Sequence, residues 1–202
     1  MTTSRPRRIV AIGDSTTAGT PGFLSPLEAP PDGRGNETSQ YAWWLMCAHP
    51  AWLVLNRGVN GERSDQIRAR FERDVLAAGA DAVVLIAGVN DIYQGRPASH
   101  VQEQLRWMYD KATAAGIPLV AGTILPYDTA TPDANTRMHE INAWIRRQDA
   151  APQLRVVETR AAVSPPDGSD RLADSPDGLH PSPAGYRAMA EAIRPALEEI
   201  LR

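Results

Sequence analysis

The chain has 202 residues, of which 43% are hydrophobic and 22% are charged, and its formal net charge is -3. This length and composition predict one domain, residues 1–202, with a single sizeable core. The charge balance argues against nucleic acid or an anionic membrane surface as the main partner. No apolar run approaches the roughly 20 residues that span a bilayer, and no signal peptide is recognisable, so we expect a cytoplasmic protein without membrane insertion.

Five short apolar, β-branched segments predict buried strands, and helical patterns lie between them. Continuous apolar runs, rather than strict alternation, are typical of parallel strands that are covered on both faces. Alternation of strands and helices in this way predicts a doubly wound α/β domain. In chain order, the predicted strands are residues 8–13, 53–59, 81–88, 118–124 and 155–160.

Apolar residues at helical spacing predict the helices between and after these strands. The last helix has the clearest start, with Ser182 as the N-cap and Pro183 at the first helical position. The segment SQYAWWLMCAHP predicts an earlier amphipathic helix, in which Cys47 is expected to be a packed structural thiol. The apolar stripes are Ile67, Phe71 and Val75; Val101, Leu105, Met108 and Ala112; Met138, Ile141 and Ile145; and Tyr186, Met189, Ile193, Leu197 and Ile200.

Polar residues follow three of the predicted strands at their carboxyl ends. Ser15 follows the first strand, Asn60 and Gly61 follow the second, and Asn90 and Asp91 follow the third. Because ligands in doubly wound sheets bind outside the carboxyl ends of the strands, we expect these residues to lie at one site. Two segments rich in Pro and Gly, residues 20–36 and 164–181, are expected to be ordered loops near that site.

Ser15, in the stretch IVAIGDSTTAG, admits three interpretations: a helix N-cap, a phosphate-binding loop and a catalytic nucleophile. The phosphate motifs G-x-G-x-x-G and G-x-x-x-x-G-K-[ST] are absent here. A serine nucleophile needs a base to take its proton. His180 lies in a loop before the last helix, with Asp177 three residues earlier. Asp177 can there reach the imidazole Nδ1 and leave Nε2 facing Ser15, although a solvated Asp–His pair remains an alternative.

Gly61 and Asn90 offer donors of the kind that acyl transfer requires. A glycine lets a backbone N–H approach a ligand closely, and an asparagine amide can donate a hydrogen bond to a developing oxyanion. Both residue types are also ordinary in turns, so each alone admits a purely structural interpretation.

Four sequence blocks occur in a fixed order: GDST at 13–16, GVNGERS at 58–64, GVND at 88–91 and DGLH at 177–180. Together they resemble the SGNH hydrolases, also called GDSL-type esterases and lipases, over nearly the whole chain. Thr16 stands where the family's name implies leucine, at a position that varies within the family. The resemblance implies a three-layer α/β/α, flavodoxin-like fold with a five-stranded parallel sheet between helices.

The resemblance also implies the roles of individual residues. Ser15 would be the nucleophile, His180 the base and Asp177 the residue that orients His180. The backbone N–H groups of Ser15 and Gly61, with the side chain of Asn90, would form the oxyanion hole. No cofactor and no metal are implied.

The implied substrate is a small-molecule carboxylic ester, with short-chain acyl or acetyl groups as the first expectation. Asp14 and Asp91 are expected to hold loops through hydrogen bonds to the backbone. Tyr127 follows the fourth strand and either lines the substrate pocket or belongs to an ordinary surface loop. Carbohydrate deacetylase, thioesterase and long-chain lipase activities remain open, as do a metal-dependent phosphoesterase and a non-catalytic binding module. The sequence predicts no oligomeric state.

Overall fold

The computed structural model of the protein describes residues 5–150 and 152–202. In this part of the chain, strands form a five-stranded parallel sheet and a separate two-stranded antiparallel sheet. The strands are β1 (Arg7–Gly13), β2 (Phe23–Leu24), β3 (Arg34–Gly35), β4 (Trp52–Gly58), β5 (Ala82–Ile86), β6 (Leu119–Gly122) and β7 (Leu154–Val157).

The central sheet has the strand order β4-β1-β5-β6-β7, and every neighbouring pair is parallel. Counted along the chain, these five strands follow the order 2-1-3-4-5 that is typical of flavodoxin-like sheets. The predicted five-stranded parallel sheet is therefore confirmed. In this order the chain changes direction between β1 and β5, so the loops after these two strands diverge and leave a crevice at the carboxyl edge.

Helices cover both faces of the central sheet, which gives the expected three layers. The helices are α1 (Ser15–Ala18), α2 (Tyr41–Ala48), α3 (Ser64–Phe71), α4 (Val89–Tyr93), α5 (Ala98–Ala114), α6 (Pro132–Arg146), α7 (Thr159–Val163) and α8 (Pro183–Ile200). Across the described residues, none of them combines the length and apolar character that crossing a membrane requires.

The side chains of β1 alternate between two hydrophobic cores, one on each face of the sheet. Val10 and Ile12 pack into the core that includes α3, α5 and α6. Ile9 and Ala11 pack into the core that includes α2 and α8. Because a strand points successive side chains to opposite faces, a continuous apolar run is what a strand covered on both sides requires.

Each predicted strand differs from the structure by one to three residues at one or both ends, and one loop and one burial prediction also differ. The strand predicted over 155–160 ends at Val157, because α7 begins two residues later. Part of the loop predicted over 20–36 forms the β2–β3 pair. The prediction for Cys47 was wrong, since this thiol is exposed. Helix α2 buries Leu45, and a residue two positions further along lies about 200° around the helix and faces outward.

Candidate active site

Ser15 lies at the carboxyl end of β1, as the first residue of the short helix α1. The N-cap of this helix is Asp14, whose carboxylate accepts a hydrogen bond from the Thr16 N–H at 2.9 Å. The capping interpretation therefore applies to Asp14, and the Ser15 hydroxyl is free for another partner. A Cβ at Gly13 would lie 2.3 Å from the Ile86 carbonyl oxygen, so glycine is required for this close turn.

Ser15, His180 and Asp177 form one hydrogen-bonded chain. The Ser15 Oγ lies 2.8 Å from His180 Nε2, and His180 Nδ1 lies 2.7 Å from Asp177 Oδ2. Ser15 and His180 are each only 6% exposed. The chain therefore joins two buried groups that are 165 residues apart in sequence.

Asp177 also holds the loop that carries His180. Its Oδ1 accepts the backbone N–H groups of Leu179 at 3.0 Å and of His180 at 2.8 Å. Burial favours a higher pKa for the Asp177 carboxyl, but the hydrogen bonds from the imidazole and the two N–H groups outweigh it. The pKa of Asp177 lies below its usual value, so the carboxylate is charged at neutral pH and fixes the ring through Nδ1.

Asn90 lies on α4 beside the loop that carries Gly61. Its Nδ2 donates to the carbonyl oxygen of Glu62 at 3.0 Å, which leaves a second amide hydrogen for another acceptor. Gly61 has φ +73°, a conformation that favours glycine. Within the described residues, the backbone N–H groups of Ser15 and Gly61 have no protein acceptor. One amide hydrogen of Asn90 and the N–H groups of Ser15 and Gly61 therefore have no acceptor among the described residues and are free for a ligand.

The two remaining aspartates of the sequence blocks hold loops, as expected. Asp14 caps α1 through Thr16, and burial raises the pKa of Asp14 to about 7. Asp91 is fully buried, and its two oxygens accept the N–H and the hydroxyl of Ser64, each at 2.8 Å. This pair of bonds ties the start of α3 to α4, and hence the Gly61 loop to Asn90.

Tyr127 belongs to the core rather than to an ordinary surface loop, because it is only 4% exposed. Its ring makes an edge-on contact with Tyr93 at a centroid distance of 5.7 Å. Tyr93 is 63% exposed and lies on α4, three residues after Asn90. The exposed ring of Tyr93, which packs against the buried ring of Tyr127, therefore lies on the same helix as Asn90.

Comparison with known proteins identifies the family of the chain. The model of the GDSL-like lipase/acylhydrolase family matches residues 11–188. The chain belongs to this family. The protein is therefore a carboxylic ester hydrolase of the GDSL type.

Several relatives of this GDSL-type hydrolase are described by activity or fold. An acetylxylan esterase from Geobacillus stearothermophilus is 27% identical over 155 residues, which are 69% of each chain. A GDSL-like lipase from Bacteroides thetaiotaomicron has the same fold, with a TM-score of 0.75 and 22% identity over 97% of this chain and 92% of that one. A catalytic mutant of an acetylxylan esterase from Geobacillus stearothermophilus also shares the fold, with a TM-score of 0.72 and 21% identity over 99% and 96% of the two chains.

One further cluster near the site has the donor types of a metal centre. Ligand atoms of Asp65, Asp91 and His100 lie within 4.8 Å of one another. Both carboxylates are already engaged, Asp65 by Arg63 at 3.0 and 3.1 Å and Asp91 by Ser64. The expectation that the hydrolase needs no metal remains a prediction.

Sequence analysis missed two residues that hold the hydrolase site together. Arg70 donates to the Gly13 carbonyl beneath the Ser15 turn, and the Asp128 N–H donates to the Gly178 carbonyl in the His180 loop at 2.7 Å. A signal for Arg70 was present, because it lies three residues after Ile67 on the buried face of α3. A charge at a position of the apolar stripe indicates a buried polar partner.

Proposed function

We propose that the protein hydrolyses short-chain carboxylic esters, with acetyl esters preferred, through an acyl-enzyme intermediate on Ser15. The hydrogen-bonded chain from Ser15 through His180 to Asp177 carries this proposal, with contacts of 2.8 and 2.7 Å. A serine hydroxyl becomes nucleophilic when a base accepts its proton, and a charged carboxylate on Nδ1 keeps Nε2 free to do so.

In the acylation step, His180 Nε2 takes the Ser15 proton while Oγ attacks the ester carbonyl carbon. The carbonyl oxygen becomes an oxyanion and accepts hydrogen bonds from the Ser15 and Gly61 N–H groups and from the Asn90 amide. His180 then gives its proton to the departing alcohol oxygen. In deacylation, water loses a proton to His180 and attacks the acyl carbon. The bond from that carbon to Ser15 Oγ then breaks, and His180 returns the proton to Oγ as the carboxylic acid leaves.

Two observations favour a sugar as the alcohol part of the ester substrate. The curated relative is described as an acetylxylan esterase, which acts on acetylated carbohydrate by its name. Tyr93 presents an exposed aromatic ring three residues from Asn90, and aromatic rings are common in the walls of ligand sites. Removal of acetyl groups from carbohydrates is therefore the second candidate function, at the same site and by the same steps.

A panel of 4-nitrophenyl esters from acetate to palmitate, together with acetylated xylo-oligosaccharides, tests these proposals. We expect the fastest hydrolysis with acetate, and no hydrolysis by Ser15→Ala with an unchanged circular dichroism spectrum. A fluorophosphonate probe should label the wild type at Ser15 alone. Labelling of another serine, or full activity of Ser15→Ala, contradicts the assignment, and inactivity of the wild type on every ester favours a binding module.

Treatment with EDTA separates the proposed serine mechanism from a metal-dependent phosphoesterase. Protein donors stabilise the oxyanion in the proposed mechanism, so activity should survive chelation. Loss of activity that one divalent ion restores would contradict the proposal and would direct attention to Asp65, Asp91 and His100.

A further inference from the structure

Arg70 is a buried guanidinium at the end of α3 that the proposed chemistry does not use. Only 8% of its side chain is exposed. A buried charge is stable only when partners satisfy its donors, so its hydrogen bonds identify what it holds. Arg70 donates from Nη2 to the Gly13 carbonyl at 2.8 Å, from Nη1 to the Arg57 carbonyl at 2.8 Å and to Asp74 at 2.9 Å, and from Nε to Glu62 at 2.7 Å.

Two of these acceptors belong to the segments that present the proposed oxyanion donors. The Gly13 carbonyl lies two residues before Ser15, and it also accepts the Val59 N–H at 3.2 Å. Glu62 directly follows Gly61 in the chain. One planar group therefore spans the turn before Ser15 and the loop after β4.

The third proposed donor, Asn90, is connected to Arg70 through Glu62. The Glu62 carboxylate binds Arg70, while the Glu62 carbonyl oxygen accepts the Asn90 amide at 3.0 Å. A chain of hydrogen bonds thus runs from Gly13 through Arg70 and Glu62 to Asn90. Arg70 itself makes no hydrogen bond to Ser15 or His180 among the described residues.

We propose that Arg70 is a positioning residue that sets the spacing of the three oxyanion donors. This inference rests on the proposed function. An arginine suits the task because its planar guanidinium directs several donors at fixed angles, whereas a lysine concentrates its donors on one nitrogen. Catalysis depends on such spacing, since a misplacement of about 1 Å can cost about 10²-fold in rate.

The test compares Arg70→Lys with Arg73→Lys. Arg73 lies three residues further along, just after α3, and binds the same Asp74 at 2.7 and 2.9 Å, but among the described residues it makes no hydrogen bond to either loop, and it is 69% exposed. With 4-nitrophenyl acetate, we expect Arg70→Lys to lower kcat about 10- to 10²-fold with KM within about twofold of wild type. Arg73→Lys should leave both constants unchanged.

The affinity for a boronic acid inhibitor provides a second measurement, which should stay unchanged if Arg70 has a purely structural role. The boronate forms a tetrahedral adduct with Ser15 and places one oxygen where the oxyanion would lie. We expect Arg70→Lys to weaken boronate binding in proportion to its loss of kcat. A kcat within twofold of the Arg73→Lys control, or boronate affinity that stays at the wild-type value per folded molecule, overturns the proposal.

Glu62 provides a second test if Arg70→Lys fails to fold. Glu62→Ala removes the acceptor for Arg70 Nε and leaves the backbone bond to Asn90, so kcat should fall about 3- to 10-fold. Glu62→Gln keeps an acceptor oxygen and should recover most of that loss. Equal kcat for all three Glu62 forms contradicts the proposal. An inactive wild type or an active Ser15→Ala variant would instead refute the proposed function, so the two failures are distinguishable.

Discussion

The nucleophile and the base of the candidate site are held by different kinds of contact. All four residues of the helix that begins with Ser15 are buried. The Gly13 carbonyl, two residues before Ser15, accepts a hydrogen bond from the buried Arg70. His180 instead comes from a long loop, which is held by contacts such as Ser175 Oγ to the His180 carbonyl at 2.6 Å. The nucleophile is therefore fixed by buried neighbours, and the base is fixed by loop hydrogen bonds.

Two aspartates show the same contrast. Asp14 precedes the nucleophile and is 1% exposed, and burial raises its pKa to about 7. Asp177 precedes the base, its side chain is 36% exposed, and hydrogen bonds lower its pKa although burial opposes them. The two carboxyl groups are chemically identical, so the environment alone makes Asp177 a charged carboxylate at neutral pH while Asp14 titrates close to neutrality. Asp177 can therefore stabilise an imidazolium, and Asp14 serves as a cap.

Removal of the proposed base, His180, should have the largest effect on kcat. We expect His180→Ala to lower kcat for 4-nitrophenyl acetate by at least about 10⁴-fold, because Ser15 loses its proton acceptor. Labelling by a fluorophosphonate should also slow sharply. His139→Ala is the control, since His139 also pairs with an aspartate, Asp170 at 2.8 Å, but is exposed and makes no hydrogen bond to Ser15 among the described residues. Near-normal turnover by His180→Ala would require a different base.

Asn90→Ala tests the proposed oxyanion donors and should have the next largest effect on kcat. Loss of one oxyanion donor should lower kcat by about 10²–10³-fold with little change in KM. The bond from Asn90 to the Glu62 carbonyl adds a structural consequence, so the variant should also lose about 1 kcal/mol of stability. If Asn90→Ala melts early while its folded fraction turns over normally, Asn90 is structural and the oxyanion hole consists of backbone amides.

Asp177→Asn tests the contact that orients the base and should have a smaller effect on kcat. The imidazole remains but loses the charge that orients it, so turnover should fall without disappearing. Over a third of the Asp177 side chain is exposed, so solvent already screens its charge. We therefore expect kcat to fall by about 10- to 10²-fold. Ser15 labelling should slow by a similar factor. A loss as large as that of His180→Ala would mean that the whole loop had moved.

The parts of this molecule that repeat a local physical pattern were predictable from sequence. All five central strands were predicted because each is a short run of apolar residues, and the Ser182 cap was predicted because Ser-Pro marks a helix start. The meeting of Ser15 and His180 came from the family blocks, since no local pattern links residues 165 positions apart.

Features that depend on tertiary neighbours were not predictable in the same way. Cys47 was misassigned because residues on both faces of its helix are apolar, so the sequence did not reveal which face packs. The partners of Arg70 lie at the ends of two different strands, which come together only when the sheet forms. Such contacts are set by topology, and the sequence shows only that a charge stands at an otherwise buried position.

The last prediction concerns stability rather than rate, because the pKa values of the two aspartates are shifted in opposite directions. The pKa of Asp14 is about 7 when folded, against about 3.9 in an unfolded chain. Between these values the folded protein holds a proton that the unfolded chain releases, so the free energy of unfolding falls as pH rises. Asp177 has a lowered pKa, so its contribution is present above its unfolded pKa and is lost as pH falls through its folded pKa.

We therefore expect Asp14→Asn to gain stability over wild type as pH rises from about 4 to about 7, by up to about 4 kcal/mol. The asparagine oxygen can still accept the Thr16 N–H, so the cap remains while the buried charge disappears. Urea unfolding at several pH values measures the difference. Asp177→Asn is the control of opposite sign, since the wild type should be the more stable form near pH 7 and lose that advantage below about pH 4. A difference between Asp14→Asn and wild type that stays constant from pH 4 to pH 8 would mean that the Asp14 carboxyl titrates as it does in water, and that the contrast between the two aspartates does not exist.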